Sequence, residues 1–287
     1  MRILHLDSGK EMRGGQWQAL RLIEGLAAAG VESTLLARAG SPLFEKARAS
    51  GCRVRPIALW RTILLSRRHD LIHAHDARGH TLGLLAGCPL AVSRRVAFPI
   101  RSRWKYRRPA QFIAISEYVK SVLIAGGAQA EKIAVVYDGV PLLSQAQGKD
   151  VIAPSQKSGG VAMQAAQLAG IKLKLSSDLQ YDLSHAALCV YATESEGLGS
   201  GVLLAMSAGV PVIASRVGGV PEIIQHGENG MLAENTAEAF AAAIRALTLN
   251  RALARHMGDA ARRTVLEKFT VDRMVRRTME VYSQVLN

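Results

Sequence analysis

The sequence predicts an α/β fold, with a doubly wound parallel sheet in the first half of the chain and a smaller sheet in the second half. Short apolar runs alternate with longer amphipathic stretches, which is typical of parallel sheets covered by helices. The chain has 287 residues, 49% of them hydrophobic, and this length favours two domains. We expect a first domain at residues 1–140, a second at 141–269 and a terminal helix at 270–287.

The elements of the first half are predicted from apolar runs and from the residues that bound them. Residues 16–29 repeat apolar side chains at helical spacing and are followed by Gly30, a common helix end. Short apolar runs between the helical segments predict strands. The predicted strands are residues 2–6, 31–37, 54–59, 70–75, 112–116 and 133–137, and a further helix is predicted at 78–86.

Polar and glycine-rich residues follow the first predicted strand. Asp7-Ser8-Gly9 and Arg13-Gly14-Gly15 precede the first helix, where backbone N–H groups can bind a phosphate or a sugar. Gly14 and Gly15 are therefore candidate ligand-binding residues. The GxGxxG pattern of dinucleotide-binding folds does not occur here, so this turn does not predict a dinucleotide site.

Residues 188–222 are the most informative segment, because an apolar run leads into an acidic, glycine-rich turn, a helix and a second apolar run. In a parallel sheet this order places the turn at the carboxyl end of a strand, where ligands bind. Glu196 can accept hydrogen bonds from ligand hydroxyls, and N–H groups at the helix start attract an anion. A tight turn with solvated carboxylates is the alternative. The candidate residues are Glu194, Glu196, Gly197, Leu198, Gly199 and Ser200.

The stretch that precedes this turn is short. Only 56 residues, 140–195, must supply a linker and the start of the second domain, and a full nucleotide-binding half built from units of about 30 residues does not fit. We expect a helix ending at 169, a strand at 172–175 and a short helix near Asp182, in a reduced sheet of three or four strands. An amphipathic pattern predicts the final helix.

Positive charge is concentrated in the first half. Residues 1–140 contain 22 Lys and Arg against 10 Asp and Glu, whereas residues 141–287 contain 14 against 13. A basic run at 93–108 interleaves cations with aromatic residues, which suits an anionic membrane, a phosphorylated glycolipid or single-stranded nucleic acid. A solvated loop with locally paired arginines is the alternative. Its candidate binding residues are Arg94, Arg95, Arg101, Arg103, Trp104, Lys105, Arg107 and Arg108.

Other features argue against several classes of protein. The residues after Met1 lack the basic segment and long apolar core of a secretory signal peptide. No apolar stretch reaches the roughly 18 residues of a spanning helix, so an integral membrane protein is not expected. Cys52, Cys88 and Cys189 lie far apart, which suggests buried thiols in a reducing cytoplasm and neither a metal site nor a disulfide framework.

Motifs in both halves resemble the group 1 family of retaining GT-B glycosyltransferases. The turn at Glu196 is similar to the E-G-F-G-like turn of that family, and the segments after it stand in family order and spacing. In the first half, the acidic-apolar-apolar-His-x-His strand end is also similar. The matching segments are Ala205-Met206 and residues 209–212, 218–222 and 226–230, with residues 70–75, 113–117 and 136–140 in the first half.

The resemblance implies a GT-B architecture of two Rossmann-like domains, an acceptor domain and then a nucleotide-sugar domain, with the final helix packing back toward the first. Family members transfer a sugar from a nucleotide diphosphate donor with retention at the anomeric carbon, without a metal or other cofactor. Glu196 and the residues around it would bind the donor, and Gly14 and Gly15 would line the opposite wall of the interdomain cleft. His75 is the second candidate catalytic residue, because strand alternation points it away from its neighbours.

The basic run is most similar to that of transferases that build bacterial envelope glycans. This likeness implies an anionic glycolipid or a phosphorylated sugar as the acceptor. We expect a cytoplasmic enzyme, with a peripheral position on the inner face of the membrane.

Two departures from the family pattern concern the donor. The family's second acidic residue, which receives the ribose hydroxyls, is replaced here by Leu204, and losing such a charged hydrogen bond costs about 1.5–3 kcal/mol. The family's Gly-Arg and Lys-Gly element, whose cations neutralise the donor diphosphate, is missing. Its nearest remnant is residues 153–160, in which Lys157 is the candidate substitute cation.

Two other functions stay open. A catalytically weak relative could bind a glycolipid or act as the partner subunit of a complete transferase. A nucleic-acid-binding protein that uses the basic half is the less favoured alternative, and its affinity for oligonucleotides would fall steeply with salt.

Overall fold

Two parallel sheets organise the chain. The structure, a computed structural model, describes residues 1–100, 102 and 104–287, and the side chains of these residues other than 156–159. One unit consists of Met1–Gly139 and Val271–Asn287, and the other of Val140–Thr270. The predicted α/β class with two Rossmann-like sheets is confirmed.

The first unit contains a sheet of seven strands and the second a sheet of five. Their strand orders are β3-β2-β1-β4-β5-β6-β7 and β12-β11-β10-β8-β9, and all the pairings are parallel. The strands are β1 (Arg2–Asp7), β2 (Glu32–Ala37), β3 (Arg53–Pro56), β4 (Leu71–Ala74), β5 (Leu90–Arg94), β6 (Gln111–Ala114), β7 (Ile133–Val135), β8 (Asp150–Pro154), β9 (Leu173–Ser176), β10 (Ala186–Tyr191), β11 (Val212–Ser215) and β12 (Met231–Ala233).

Helices connect the strands of both sheets. They are α1 (Gly14–Ala28), α2 (Pro42–Ala49), α3 (Leu59–Ser66), α4 (Ala77–Leu84), α5 (Glu117–Ala125), α6 (Ser155–Ala169), α7 (Leu179–Asp182), α8 (Ser200–Ser207), α9 (Ala237–Leu249), α10 (Arg251–Lys268) and α11 (Val271–Leu286). Within the described residues, no helix combines the length and the apolar character needed to cross a bilayer.

The core of the first unit forms where β1 and its neighbours meet α1 and α11. Ile3 of β1, Leu26 of α1 and Tyr282 of α11 are fully buried in one cluster. The end of α1 follows from local chemistry, because Gly30 has a φ of 77°, a value that glycine adopts without strain. The terminal helix thus packs on the same side of the sheet as α1.

The second unit corrects the predicted strand number. Three or four strands were expected, and the sheet has five. The difference is β8, because the sequence predicts a linker at residues 150–154. A strand of only five residues that is followed at once by α6 shows too little alternation to be recognised, although Ile152 and Ala153 are fully buried.

The first sheet also differs locally from the prediction. The strand expected at 54–59 ends at Pro56, and α3 starts at Leu59. Proline has no N–H to donate to a ladder and occurs mainly on edge strands, and β3 is an edge strand of this sheet. The apolar run therefore spans two elements, because its first part forms β3 and its last residue, Leu59, begins α3.

Two helical glycines allow a test of the packing in the second unit. A Cβ at Gly258 of α10 would overlap the carbonyl oxygen of Gly209, whereas a Cβ at Gly160 of α6 would meet no atom within 4 Å. We expect Gly160→Ala to stabilise the protein by about 0.5–1 kcal/mol, and Gly258→Ala to destabilise it by about 1–3 kcal/mol. Urea unfolding measures the change in the free energy of unfolding in each variant. Changes of the same sign and size in both variants would contradict this packing.

Candidate functional site

The turn between β10 and α8 lies at the carboxyl end of the central strand of the second sheet. β10 ends at Tyr191 and α8 begins at Ser200, so the acidic, glycine-rich residues lie where ligands bind in open α/β sheets. Gly199 precedes the helix with a φ of 112°, and its carbonyl accepts the N–H of Leu203. Only glycine adopts this backbone conformation without strain.

The carboxylate of Glu196 is held by its neighbours. Tyr191 donates its hydroxyl to Oε2 at 2.7 Å, and the N–H of Gly197 donates to Oε1 at 3.2 Å. Tyr191 is buried, and burial together with the Glu196 charge raises its pKa well above the usual value. The phenol therefore stays protonated and remains a donor to the carboxylate.

Glycines on two other segments permit this arrangement. The Gly219 N–H donates to the carbonyl oxygen of Glu196 at 3.3 Å, and a Cβ at Gly218 would overlap that same oxygen. On α8, a Cβ at Gly201 would lie 2.9 Å from Cε2 of Tyr191. The loop after β11 and the first turn of α8 can therefore approach the turn only because they carry glycines.

The other predicted donor residues lie around Glu196. Glu194 is exposed, Ser200 is half-buried, and Gly197, Leu198 and Gly199 are buried. The Leu198 side chain is fully enclosed and anchors the turn in the core. The first turn of α8 directs its N–H groups away from the helix, which favours a bound anion.

The structure also places the two family departures. Leu204 lies on α8 and is buried, so this position offers no carboxylate to a ligand. Lys157 belongs to the first turn of α6, directly after β8, but its side chain lies outside the described residues. Its predicted contact with the donor stays a prediction.

In the first unit, the turn after β1 is ordered by a buried carboxylate. Asp7 accepts hydrogen bonds from the N–H of Gly9 at 2.8 Å and from Nε2 of Gln16 at 3.2 Å, and burial raises its pKa. Gly14 and Gly15 form the start of α1. The turn thus presents the predicted glycines at the carboxyl end of β1.

A cluster of buried histidines lies beside this turn. His5 of β1 pairs in register with His73 of β4, and His75 follows that strand. His73 contacts the hydroxyls of Tyr282 at 2.6 Å and Ser93 at 2.8 Å, and His5 Nδ1 lies 3.0 Å from His75 Nε2. The sequence motifs predict only His75 as a site residue, although period-2 alternation and the register of adjacent strands place all three histidines together.

Arg95 fixes the hydrogen-bond direction in this cluster. Its Nη1 lies 3.2 Å from Nδ1 of His75, and because a guanidinium can only donate, Nδ1 must accept. His75 then carries its proton on Nε2 and donates it to Nδ1 of His5, which in turn donates from Nε2 toward Ser33 Oγ at 3.3 Å. Both ring nitrogens of His75 are therefore already engaged by protein groups.

Arg95 also connects the cluster with the glycine turn. Its Nε lies 3.6 Å from Oδ1 of Asp138, and only 10% of its side chain is exposed. A Cβ at Gly15 would lie 3.6 Å from Cδ of Arg95. A buried cation therefore lies directly beside the start of α1, whose N–H groups also favour anions.

Burial and this cation set the charge state of the histidines. The pKa of His5 is lowered to about 3, mainly by burial, and the pKa values of His73 and His75 are lowered well below 6.5 for the same reason, with further contributions from neighbouring histidines and Arg95. All three imidazoles are neutral near pH 7.

Among the described residues, His5, His73 and His75 form a group that could hold a metal ion, since one nitrogen from each lies within 4.8 Å of the others. The hydrogen bonds above already occupy these nitrogens. Arg95 adds a positive charge that opposes a second cation. The geometry fits a neutral hydrogen-bonded network better than a metal centre.

The basic run divides into structural and exposed members. Arg94 bonds to the hydroxyl of Tyr106 at 2.8 Å and to carbonyl oxygens of the run itself, and Lys105 Nζ bonds to Thr81 Oγ1 of α4 at 2.8 Å. Trp104 and Arg108 are exposed and stack on each other at 4.5 Å. Arg107 is also exposed, whereas Arg101 and Arg103 lie outside the described residues.

Comparison with known families agrees with the geometry of both units. Residues 171–264 match the family described as glycosyl transferases group 1, and residues 12–142 match glycosyltransferase family 4. The chain belongs to the group 1 glycosyltransferases. The family expected from the motifs around Glu196 is therefore confirmed.

Curated relatives of this chain match over part of their length. The chain is 39% identical over 106 residues to N-acetyl-alpha-D-glucosaminyl L-malate synthase of Bacillus anthracis, which covers 36% of this chain and 28% of that protein. It is 40% identical over 78 residues to GDP-mannose-dependent alpha-(1-6)-phosphatidylinositol monomannoside mannosyltransferase of Mycobacterium tuberculosis, covering 27% and 20%. These matches thus span less than a third of each relative.

Solved structures match over nearly the whole chain. HepE of Anabaena in complex with UDP and glucose superposes with a TM-score of 0.86 at 17% identity, covering 99% of this chain and 100% of that one. The galactosyltransferase WaaB, which acts on the lipopolysaccharide outer core, gives a TM-score of 0.72 at 14% identity, covering 99% and 100%. At these identities the likeness establishes the fold.

The histidine cluster predicts how stability depends on pH. Below pH 6.5 the unfolded chain binds protons that the folded cluster excludes, because the folded pKa values are lower. Each such histidine lowers the free energy of unfolding by about 1.4 kcal/mol per pH unit, over a window that for His5 extends down to about pH 3. Denaturant unfolding between pH 7.5 and 5.5, roughly, measures this slope.

Two variants isolate the contribution of the cluster. His5→Asn removes one buried imidazole and is expected to reduce the slope, whereas His256→Gln, which changes an exposed histidine, leaves it unchanged. The assigned charge states would be contradicted if the free energy of unfolding of the unmodified protein did not decrease as the pH is lowered across this window.

Proposed function

We propose that this chain is an active glycosyltransferase that moves a sugar from a nucleotide diphosphate donor to an anionic acceptor, with retention at the anomeric carbon. The observation that carries the proposal is the ordered turn at Glu196, which combines a fixed carboxylate with the N-terminus of α8. Sugar hydroxyls need an acceptor of that kind, and a diphosphate needs N–H donors.

In this proposal Glu196 binds hydroxyls of the donor sugar. Glu194 and the N–H groups of Leu198, Gly199 and Ser200 assist, and Gly197 lets the backbone approach the donor closely. The Tyr191 hydroxyl donates to Oε2 at 2.7 Å and the Gly197 N–H donates to Oε1 at 3.2 Å, so the carboxylate is held in one orientation before the ligand binds. Gly14 and Gly15 are further donor-binding candidates. Preorganisation of this kind lowers the entropic cost of binding.

The reaction itself needs little covalent chemistry from the protein. The bond between the anomeric carbon and the phosphate oxygen breaks, the acceptor oxygen bonds to that carbon on the same face, and the acceptor proton passes to the leaving phosphate. The protein contributes placement and electrostatic stabilisation. No metal is required by this scheme.

The first unit supplies cationic groups for the acceptor. Arg95 is buried next to Gly15 and keeps its guanidinium oriented through Asp138 and His75. We assign His75 to this positioning role, because both of its nitrogens are engaged. The exposed Trp104, Arg107 and Arg108 offer a wider basic surface, with Arg101 and Arg103 as further candidates.

An anionic glycolipid or phosphorylated sugar is the proposed acceptor, and the inner face of the membrane the proposed location. The first-half excess of cations favours an anionic partner. The M. tuberculosis relative is named for a phosphatidylinositol mannoside, a lipid acceptor. A nucleic acid is less favoured because the family match accounts for both units.

Leu204 supports a second candidate, a catalytically weak relative that binds glycolipid or partners another transferase. Its apolar side chain cannot receive ribose hydroxyls, and one such charged hydrogen bond contributes about 1.5–3 kcal/mol, or one to two decades of affinity. A protein of this kind would fold normally and bind no sugar nucleotide.

A panel of sugar nucleotides tests the proposed activity. We expect at least one donor to raise the melting temperature, since a ligand at about 100 times its Kd stabilises by about 2.7 kcal/mol, and to give glycosylated product whose NMR coupling shows retention. Glu196→Ala should lower kcat/KM by about tenfold to a thousandfold, while Glu234→Ala, an exposed acid on the same unit, is the control. Binding or turnover that is insensitive to Glu196→Ala would refute the assignment.

Tyr191→Phe tests how Glu196 is held. The variant keeps the ring but loses the 2.7 Å hydrogen bond to the carboxylate, which contributes about 1.5–3 kcal/mol. Donor affinity measured by calorimetry is expected to fall by about tenfold or more, and Gly201→Ala, whose Cβ would displace the ring, should act in the same direction. Tyr181→Phe changes an exposed tyrosine and serves as the control; equal donor affinity in all three variants would show that Tyr191 does not position Glu196.

A further inference from the structure

The short helix α3 has its apolar face on the outside. Leu59, Trp60 and Leu64 are 44%, 61% and 50% exposed, whereas Thr62 and Ser66 are buried. The two hydroxyls bond to carbonyl oxygens of the same segment, those of Ala58 and Ile63. The two most buried side chains of α3 are therefore polar and satisfied, Ile63 and Leu65 are half-buried, and the fully exposed face is apolar, unlike that of an ordinary surface helix.

The exposed apolar face of α3 is not a scatter of single residues. Three large apolar side chains lie within two turns of one helix, and the Arg61 guanidinium stacks on the Trp60 ring at 4.4 Å. Helix α4 lies against α3, and Leu85 at its end is exposed as well. Grouped exposed apolar residues of this kind mark an interaction surface.

The charge around α3 is of one sign. Between Glu45 and Asp70 the sequence has seven Lys and Arg and no Asp or Glu, and between Asp76 and Glu117 it has eight and none. Arg67 and Arg68 directly follow α3 and are exposed. The flanking acids are engaged, since Asp70 pairs with Arg2 and Asp76 caps α4.

We propose that α3, with Arg67 and Arg68, forms a membrane-docking surface that binds an anionic phospholipid bilayer. Leu59, Trp60 and Leu64 enter the interfacial region, where an amphipathic aromatic ring is stable, and the arginines contact lipid phosphates. Lys105 ties the basic run to α4 through Thr81, so the exposed Trp104 and Arg108 belong to an element that contacts the same helix.

Charge and side-chain type favour a bilayer over other occupants. A second copy of this chain would bring an equally cationic surface against the first, and like charges repel. Leucine side chains give nucleic-acid bases no aromatic face on which to stack, whereas they insert readily among acyl chains. The proposal concerns docking alone and holds whether or not the chain transfers sugar.

Vesicle flotation tests the proposal with the full chain. We expect binding to vesicles of phosphatidylcholine with phosphatidylglycerol, weaker binding at high salt, and little binding to phosphatidylcholine alone. Leu59→Ser with Leu64→Ser should weaken binding about tenfold. Arg67→Gln with Arg68→Gln should weaken it about 25-fold, since each cation near an anionic surface contributes about fivefold.

Matched controls come from the second unit. Leu249→Ser changes an exposed leucine, and Arg251→Gln with Arg255→Gln removes the same charge from α10; both should bind vesicles as the unmodified chain does. The melting temperature and its shift with sugar nucleotide should be unchanged in the α3 variants, which separates lost docking from misfolding and from the proposed activity.

Several results would overturn the proposal. Equal binding to both vesicle types, or equal losses in the controls, would show that α3 is not a specific docking surface. A dimer that dissociates in the leucine variant would assign α3 to a second copy of the chain. Tighter binding to oligonucleotides than to anionic vesicles, lost in the same variants, would assign it to nucleic acid.

Discussion

Close approach of three backbone segments around Glu196 is the constraint on which the candidate donor site depends. The turn after β10, the loop after β11 and the first turn of α8 meet where Gly218 and Gly201 leave no room for a Cβ. This packing brings the Tyr191 hydroxyl to the Glu196 carboxylate and directs the start of α8 toward the same point. The site is thus built at the carboxyl end of the central strand and needs no flexible loop to form it.

In the first unit, a hydrogen-bonded histidine cluster orders the residues near the carboxyl ends of β1 and β4. The neutral imidazoles of His5 and His73 contact His75, and His75 contacts one cation, Arg95, which lies beside Gly15. Buried polar groups of this kind are costly unless each is paired. The hydrogen bonds to Ser33, Ser93 and Tyr282 supply that pairing.

Sequence patterns predicted the parts of the molecule that depend on local chemistry. The strand, turn and helix around Glu196, the α/β class and the end of α1 at Gly30 all follow from apolar runs and glycines. Patterns failed where tertiary contacts decide: β8 is too short to show alternation, α3 continues an apolar run that began as a strand, and Tyr191 meets Glu196 only after the turn has folded. The sequence likewise does not show which face of α3 is buried, because the packing of the helix on the rest of the first unit decides it.

Amide hydrogen exchange with and without a stabilising sugar nucleotide tests whether the donor binds at the Glu196 turn. We expect slower exchange that is confined, within the second unit, to residues around the Glu196 turn and the first turn of α8, and we expect Glu196→Ala to lose that protection. Protection that appears only elsewhere in the second unit, or a turn whose exchange is unchanged at saturating nucleotide, would contradict this expectation.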